Sequence, residues 1–309
     1  MLTRYYRTLR DTTMSELDTF RSGSWVHLEA PTEKEVADVV DHYDLTPGHI
    51  EDALDEDEVP RLEIEGDQIY LYVRYAMRDK SGEFATFPLL IVLVKNAVIT
   101  VSSRHVAALE ALSAGRVPVA TTQKTKLLLI ILQRITEQYD YLVDKTSRRI
   151  QGVRQRLRTQ AVTNEDFVDF VTIDDELNEF LSSLQPNNAA LRRLLSGHHL
   201  KLFEEDTDLV EDLMLMNDQS IEKCNENIRS IVGVRDAHSS MSDNSLNRTM
   251  KVLTVATLCM AIPNMFFGIY SMNIVTPFQH SQFAFFIIVG FTLIVTLLFF
   301  LLGRRKRIF

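Results

Sequence analysis

Charged residues are missing from one long stretch near the end of this 309-residue chain. No Asp, Glu, Lys or Arg occurs in residues 252–303, although such residues make up 24% of the whole sequence. The stretch contains two apolar runs, 252–272 and 283–302, each about 20 residues long, which is the length of an α-helix that crosses a hydrocarbon core of roughly 30 Å. The second run has no polar face, which disfavours a buried hairpin in a soluble protein. We therefore expect a helical hairpin across a membrane.

Cysteines and catalytic motifs are also scarce. The two cysteines, Cys224 and Cys259, stand at no metal-ligand spacing, so we interpret both as reduced thiols. The absence of a phosphate-binding loop, a nucleophile elbow or a His/Cys cluster argues against an enzyme. The net charge of −9 argues against a nucleic-acid partner and suits a domain that handles cations. The first 20 residues have no apolar run of signal-peptide type, so we expect the N-terminal part to stay in the cytosol.

Basic residues flank the apolar stretch on both sides, whereas the segment 273–282 between the two runs has none. They are Arg248, Lys251, Arg304, Arg305, Lys306 and Arg307. The positive-inside rule therefore predicts a multi-pass protein of the inner or plasma membrane, with both termini in the cytoplasm and the connecting loop outside.

The first part of the chain shows alternating strand and helix signals. A capping box at Thr32 and Glu35 predicts one helix start, and Thr46 followed by Pro47 predicts another. Runs of β-branched and aromatic residues predict strands, with a hairpin turn between the last two. The predicted strands are 24–29, 69–75, 87–94 and 97–102. With helices covering this sheet, we expect residues 1–121 to form a cytoplasmic domain of α/β/α layers.

From residue 122 onward only helix signals remain. We expect long helices over about 127–159 and 164–195, with a possible break or kink at Pro186 in the second. A third begins near Glu205 and enters the membrane without meeting a proline before Pro263. The predicted segments are long cytoplasmic helices at 122–204, a stalk helix continuing into the first membrane helix at 205–272, an outer loop at 273–282, the second membrane helix at 283–303 and a basic cytoplasmic tail at 304–309.

An apolar stripe follows the stalk helix at mostly three- and four-residue steps, which is typical of an amphipathic helix. Its members are Leu209, Leu213, Met216, Ile221, Cys224, Ile228 and Ile231. Ordinary core packing would produce the same pattern. The continuity into a membrane helix favours a stalk that packs against copies of itself.

The end of the first apolar run resembles a known signature. Tyr270-Ser271-Met272-Asn273 is similar to the aromatic-Gly-Met-Asn sequence that ends the first of two C-terminal membrane helices in the CorA family of divalent-cation channels. The acidic segment 49–54, followed by 59–63, is similar to that family's acidic helix and the turn after it. The resemblance covers nearly the whole chain. It implies an α+β cytoplasmic domain, long helices and two C-terminal transmembrane helices, arranged as a homopentameric funnel.

The resemblance also implies roles for individual residues in a channel that imports Mg²⁺ and is gated by cytosolic Mg²⁺. Tyr270, Ser271, Met272 and Asn273 would form the selectivity filter, where five Asn273 amides accept hydrogen bonds from the waters of a hydrated ion. The regulatory metal would be shared between subunits by Glu51, Asp52 and Asp212. The residues implied to line the pore are Asp236, Asn247, Met250, Leu253, Thr257, Ala261, Asn264 and Gly268.

Two departures from the family pattern leave other functions open. Ser271 stands where the family has Gly, and the loop 274–282 has no acidic residue to concentrate cations. One alternative is a related carrier of Zn²⁺, Co²⁺ or Ni²⁺. Another, of a different class, is a non-conducting membrane-anchored metal sensor or scaffold.

Overall fold

The computed structural model describes residues 1–78, 82–159, 164–196, 200, 202–272 and 283–305. The chain divides into two compact units, Met1–Val232 and Gly233–Phe309. The helices are α1 Glu33–Tyr43, α2 Pro47–Leu54, α3 Glu110–Ser113, α4 Lys124–Thr159, α5 Asn164–Ser196, α6 Glu204–Tyr270 and α7 Ala284–Arg305. The three long helices and the second apolar helix expected from the sequence are therefore present, while the finer domain boundaries stay predictions.

The first unit is built on a seven-stranded sheet with the order β2-β1-β3-β7-β6-β5-β4. Its strands are β1 Leu2–Tyr6, β2 Ser15–Glu16, β3 Ser24–Glu29, β4 Arg61–Glu65, β5 Gln68–Arg78, β6 Phe84–Leu93 and β7 Ala97–Ser102. Neighbouring strands are antiparallel except β3 and β7, which are parallel. The four predicted strands are confirmed. The other three, β1, β2 and β4, were not predicted.

Local capping chemistry starts the two short helices beside the sheet. The backbone of Glu35 donates to the Thr32 hydroxyl, and the Glu35 carboxylate accepts from the Thr32 backbone at 2.8 Å, so both halves of the predicted capping box form. Helix α2 begins after Thr46 with Pro47 in its first turn, as predicted. Pro is favoured there because its ring presets φ and the missing N–H would have had no helical partner.

Apolar side chains fill both sides of the sheet. One side packs against α1 and α2 through a cluster that includes Val39, Ile50 and Tyr72. On the other side Tyr139 of α4 and Phe180 of α5 are fully buried, with ring centroids 5.8 Å apart. Burying one such large side chain contributes about 1.5–3 kcal/mol, so these two layers of contacts hold the helices to the sheet. The predicted α/β/α layering is confirmed.

Helix α5 continues through Pro186, so the predicted possible break does not occur. The next residue, Asn187, contacts the sheet directly. Its side-chain amide donates to the carbonyl of Arg74 and accepts from the Arg74 N–H, both at 2.9 Å. Strand β4 pairs with β5 only as far as Tyr72, so Arg74 lies beyond its reach. Asn187 therefore gives the Arg74 N–H a partner that β4 does not supply, while the Arg74 carbonyl also accepts from the Tyr139 hydroxyl at 3.2 Å.

The first part of α6 packs inside the first unit. Lys223 forms ion pairs with Asp140 at 2.8 Å and Asp144 at 2.9 Å, both on α4. The buried positions are Asp206, Val210, Leu213, Asn217, Ser220, Cys224 and Ile231. The prediction that the apolar stripe packs against copies of the chain is therefore wrong for Leu213, Cys224 and Ile231, because helices within the same chain already bury them. The actual stripe was hard to recognise because nearly half of its members are polar.

A cluster of ionisable side chains ties the end of β3 to the segment after β7. The imidazole of His105 contacts the carboxylates of Glu29 and Glu110, each at 2.8 Å, and His27 lies 3.7 Å from Glu29. The neighbouring imidazoles of His27 and His105 lower the pKa of Glu29 to about 2. The hydrogen bond to Glu110, followed by that to Glu29, raises the pKa of His105 above its ordinary value of 6.5.

Because the pKa of His105 is raised by folding, its ion pairs stabilise the fold fully below about pH 6.5 and this contribution is lost as the pH rises through the folded-state pKa. Glu29 stays ionised throughout that range. His105 is half exposed, so we expect the loss to be only about 0.5–1 kcal/mol. Thermal unfolding of the detergent-solubilised protein from pH 6 to 9 should show this decline in the wild type and a smaller one in His105→Gln. Equal slopes in wild type and His105→Gln would contradict the assignment.

Candidate ion pathway and regulatory carboxylates

Two described helices have the length and composition of membrane spans, the C-terminal part of α6 and the core of α7 at residues 285–302. Almost none of the side chains in these apolar windows is buried. A core helix of a soluble protein would be mostly buried, and a signal sequence would lie near the N-terminus. An exposed apolar surface of this size needs a lipid environment, so these helices span a membrane.

Within the second unit, α6 and α7 contact each other through one face of each helix. Phe266 and Phe291 meet edge to face with ring centroids 5.4 Å apart, and Thr292 of α7 is buried. The half-shielded side chains of α6 are Val255, Cys259, Ile262, Pro263, Phe266 and Tyr270. At about 100° per residue they define a single face of the helix.

The predicted pore-lining residues lie on the opposite face of α6. At about 100° per residue, their mean direction is about 180° from the face that contacts α7. Met250 and Leu253 are 54% and 60% exposed. The other predicted members are also exposed, namely Asp236, Asn247, Thr257, Ala261, Asn264 and Gly268. Within the described second unit this face is therefore free, and from Asn247 onward its predicted members are all uncharged.

One further acidic residue shares this face. Asp243 is exposed and lies seven residues after Asp236 and seven before Met250. Asp243 was missed at the level of sequence because this face was followed only from Asn247 onward and Asp236 was added by itself. Extending the seven-residue spacing back from Met250 would have found Asp243.

The end of α6 shows how Ser271 fits where the family has glycine. Its backbone N–H donates to the Phe267 carbonyl at 3.0 Å and its hydroxyl donates to the Gly268 carbonyl at 2.9 Å. The non-glycine residues with positive φ in the described chain are Ala30 and Asp44, so Ser271 needs no left-handed backbone. Serine therefore closes the last turn without strain. It does so with a side-chain bond that glycine cannot make.

The rest of the predicted filter is only partly described. Tyr270 is the last residue of α6 and is half-buried, and Met272 follows with 57% of its surface exposed. The Met272 N–H donates to the Ile269 carbonyl at 3.3 Å, which extends the closing turn by one residue. Asn273, the residue on which the filter prediction depends most, lies outside the described residues.

The predicted regulatory carboxylates differ in their surroundings. Asp52 forms an ion pair with Arg61 at 2.7 Å. Arg61 also pairs with Glu58 and Glu63, and its guanidinium lies 3.9 Å from the centroid of the Tyr72 ring. Burial opposes the charge of Arg61, but its bond to Glu63 and the nearby carboxylates raise its pKa, so it stays charged. A metal ion would have to compete with a fixed cation for Asp52.

Glu51 and Asp212 are both exposed, and neither forms an ion pair within the described part of the chain. Glu51 lies on α2 and Asp212 on α6. Among the described residues of one copy, no group of three or more His, Cys, Asp or Glu side chains could hold a metal ion. One copy alone therefore does not assemble the predicted regulatory site.

The fold and the exposed apolar helices define a membrane protein with a layered α/β domain, long helices and two C-terminal spans. Residues 21–305 match the family described as CorA-like Mg²⁺ transporter protein. The chain belongs to this family, whose members transport divalent cations and are not enzymes. The resemblance noted from the sequence is confirmed.

Known proteins are similar to this chain over most of its length. The chain is 23% identical over 293 residues to the cobalt/magnesium transport protein CorA of Methanocaldococcus jannaschii, covering 91% of this chain and 90% of that one. The complete structure of the CorA magnesium transporter from the same organism matches with a TM-score of 0.87 at 21% identity, over 99% of this chain and 98% of that one. The full-length CmaX protein matches with a TM-score of 0.74 at 19% identity, covering 95% of each chain. These structural likenesses confirm the fold.

The hydroxyl of Ser271 can be tested separately from the backbone. Ser271→Ala removes the bond to the Gly268 carbonyl, which is worth about 0.5–1.5 kcal/mol. We expect the last turn of α6 to loosen and divalent-cation flux into proteoliposomes to fall about threefold. The control Thr249→Ala removes a similar 3.0 Å bond from the helix interior, where the backbone is already bonded, and should have little effect. Wild-type flux in Ser271→Ala would show that this bond does not shape the pathway.

Proposed function

We propose that this chain forms a homopentameric channel that imports Mg²⁺ along the exposed face of α6. The observation that carries the proposal is the position of the predicted pore-lining residues on the side of α6 opposite to α7. If five copies turned this face toward a common axis, α7 would lie outside, against lipid. The exposed phenylalanines of α7, such as Phe285 and Phe286, suit that outer position.

The chemistry of this face suits a hydrated ion. Mg²⁺ gives up its water reluctantly, and neutral oxygens can accept hydrogen bonds from that water without holding the ion too tightly. Asn264 supplies an exposed amide within the spanning segment, where a polar group needs an aqueous or polar partner. The Thr257 hydroxyl donates to the Leu253 carbonyl at 2.9 Å, which leaves its oxygen able to accept from water. Met250 and Leu253 would form an apolar constriction that closes by excluding water.

Five copies of Asn273 would form the selectivity filter at the outer mouth, together with Tyr270, Ser271 and Met272. The proposal for Asn273 rests on its place in the motif. The closed helix end at Ser271 supports it, because a filter needs a defined attachment to the pore helix. Amide oxygens are hard ligands that suit Mg²⁺. Hydrated Co²⁺ is a second candidate, since the curated relative is named a cobalt/magnesium transport protein.

The proposed orientation has both termini in the cytoplasm and the loop 273–282 outside. The basic residues beyond the two spans and the absence of Lys and Arg from the loop support it. In a variant without Cys224 and Cys259, an impermeant thiol reagent applied to sealed cells should label a cysteine at Gln279 and not one at Arg10. Labelling of the cysteine at Arg10 alone would show the opposite orientation, with both termini outside.

The proposed regulation is the sharing of Mg²⁺ between neighbouring copies by Glu51, Asp52 and Asp212. Glu51 and Asp212 are exposed and form no ion pair within the described chain, so they are available to a second copy. Asp52 takes part only when the metal displaces Arg61. Binding between copies would hold the closed state, and loss of metal would leave like charges facing each other.

Ion flux into proteoliposomes tests the proposed transport. The purified wild type should take up Mg²⁺, with Co²⁺, Ni²⁺ and Zn²⁺ compared as competitors. Asn273→Ala deletes five amides, each worth about 1 kcal/mol to ion-bound water, so we expect uptake to fall tenfold or more, since ~1.4 kcal/mol is a factor of ten. The matched control Asn244→Ala removes an exposed amide from another face of α6 and should keep the wild-type rate.

Three outcomes of the flux experiment would change the proposal. Undiminished uptake in Asn273→Ala, with intact pentamers, would place the filter elsewhere. Faster uptake of Zn²⁺, Co²⁺ or Ni²⁺ than of Mg²⁺ would favour a carrier of those ions. A wild type that takes up no metal, although it assembles, would favour the metal sensor or scaffold.

Limited proteolysis at increasing Mg²⁺ tests the proposed regulation. Asp212→Asn removes one charge from each site at nearly constant volume. Protection of the chain from the protease should therefore need several-fold more Mg²⁺ than in the wild type. The control Glu222→Gln changes an exposed acid on the same helix and should keep the wild-type midpoint. Arg61→Gln should move the midpoint to lower Mg²⁺ if Asp52 is a ligand. Unchanged Mg²⁺ midpoints in Asp212→Asn and Arg61→Gln would show that Asp212 and Asp52 do not bind the regulatory Mg²⁺.

A further inference from the structure

A row of residues at seven-residue steps follows the pore-facing side of α6. The row begins with Asp236 and Asp243 and continues with uncharged side chains from Met250 into the apolar stretch. Its members are Asp236, Asp243, Met250, Thr257, Asn264 and Ser271. Seven residues are close to two full turns, so these positions lie nearly above one another, and a slight left-handed supercoil would align them fully.

The charges around the first two members are segregated by sign. Asp236 and Asp243 are both exposed, and neither forms an ion pair within the described residues. The row itself contains no Lys or Arg. Arg235 and Lys251 lie about 80° to either side of Asp243, and Arg248 lies about 140° away on the far side of the helix. Acidic side chains therefore lie in the row while the neighbouring basic ones lie outside it, as expected for a cation path.

We propose that Asp243 is a further specificity-determining residue of the ion pathway, forming a second ring of carboxylates between the Asp236 ring and the apolar constriction at Met250. This inference rests on the proposed pentameric channel. Two rings seven residues apart are separated by about 10 Å along the helix. Each ring accepts hydrogen bonds from the waters of a hydrated divalent cation, so an ion that leaves the constriction passes through two successive weak sites.

Two weak sites in series suit conduction better than one strong site. A cation bound at one ring repels a cation at the next, so each ion helps to release the one ahead of it. Carboxylates also select for charge, because a divalent cation gains about twice as much from them as a monovalent one. The inference therefore assigns to Asp243 the retention of divalent over monovalent cations at the charged end of the pathway.

The decisive experiment moves the carboxylate off the row without changing the charge of the protein. Asn244 is exposed and lies about 100° from Asp243 on α6. The double variant Asp243→Asn with Asn244→Asp keeps the net charge and places the acid on another face. We expect Mg²⁺ flux in Asp243→Asn and in the double variant to fall three- to tenfold at low ionic strength, with a smaller deficit at high salt. Asn244→Asp alone should conduct like the wild type.

A second measurement tests whether Asp243 binds a cation, even if the protein transports none. Binding of Mn²⁺, used as a paramagnetic substitute for Mg²⁺, is followed by its electron paramagnetic resonance signal in the detergent-solubilised pentamer. Asp243→Asn and the double variant should each lose one weak Mn²⁺ site per pentamer that Asn244→Asp retains. A wild type that does not conduct would contradict the proposed function. The Mn²⁺ binding comparison would still show whether the Asp243 carboxylates form a cation site. Wild-type flux and wild-type Mn²⁺ binding in the double variant would overturn the inference.

Discussion

The rest of this structure depends on one constraint, the need of α6 to satisfy two different surroundings along a single helix. Its first part buries a stripe that includes Leu213, Asn217 and Cys224 inside the first unit. Its last part is apolar and almost unburied in the second unit, where only lipid or other copies can cover it. The same helix runs from Glu204 to Tyr270, so a single element has to meet both requirements.

The fold also determines which carboxylates remain available to a cation. The fold pairs several of them internally: Arg61 holds Asp52, and Lys223 holds Asp140 and Asp144. Others in the described chain stay exposed and without an ion pair, namely Glu51, Asp212, Asp236 and Asp243. A paired carboxylate must give up its cation before it can bind a metal. The internal pairs thus separate acids that stabilise the fold from acids that remain available to bind a cation.

The helix end at Ser271 shows how a departure from a family motif can be accommodated. Glycine is favoured where φ is positive or where two backbones approach closely. Ser271 meets neither condition within the described residues, and its hydroxyl bonds the Gly268 carbonyl. The substitution therefore replaces backbone freedom with a defined turn. This is compatible with a cation pathway and would give the proposed filter a stiffer attachment.

The sequence alone determined the features that depend on local pattern. These include the membrane hairpin from its uncharged stretch, the capping box at Thr32 and Glu35, four of the strands and the three long helices. The short strands β1 and β4 were missed because their few residues gain strand geometry only by pairing with β3 and β5. The tertiary structure also decided that Asn187 hydrogen-bonds to the Arg74 backbone of β5 and that Arg61 forms an ion pair with Asp52. It likewise decided that helices of the same chain bury part of the α6 stripe. Each of these depends on residues distant in sequence, and no local spacing encodes which distant partner a side chain will meet.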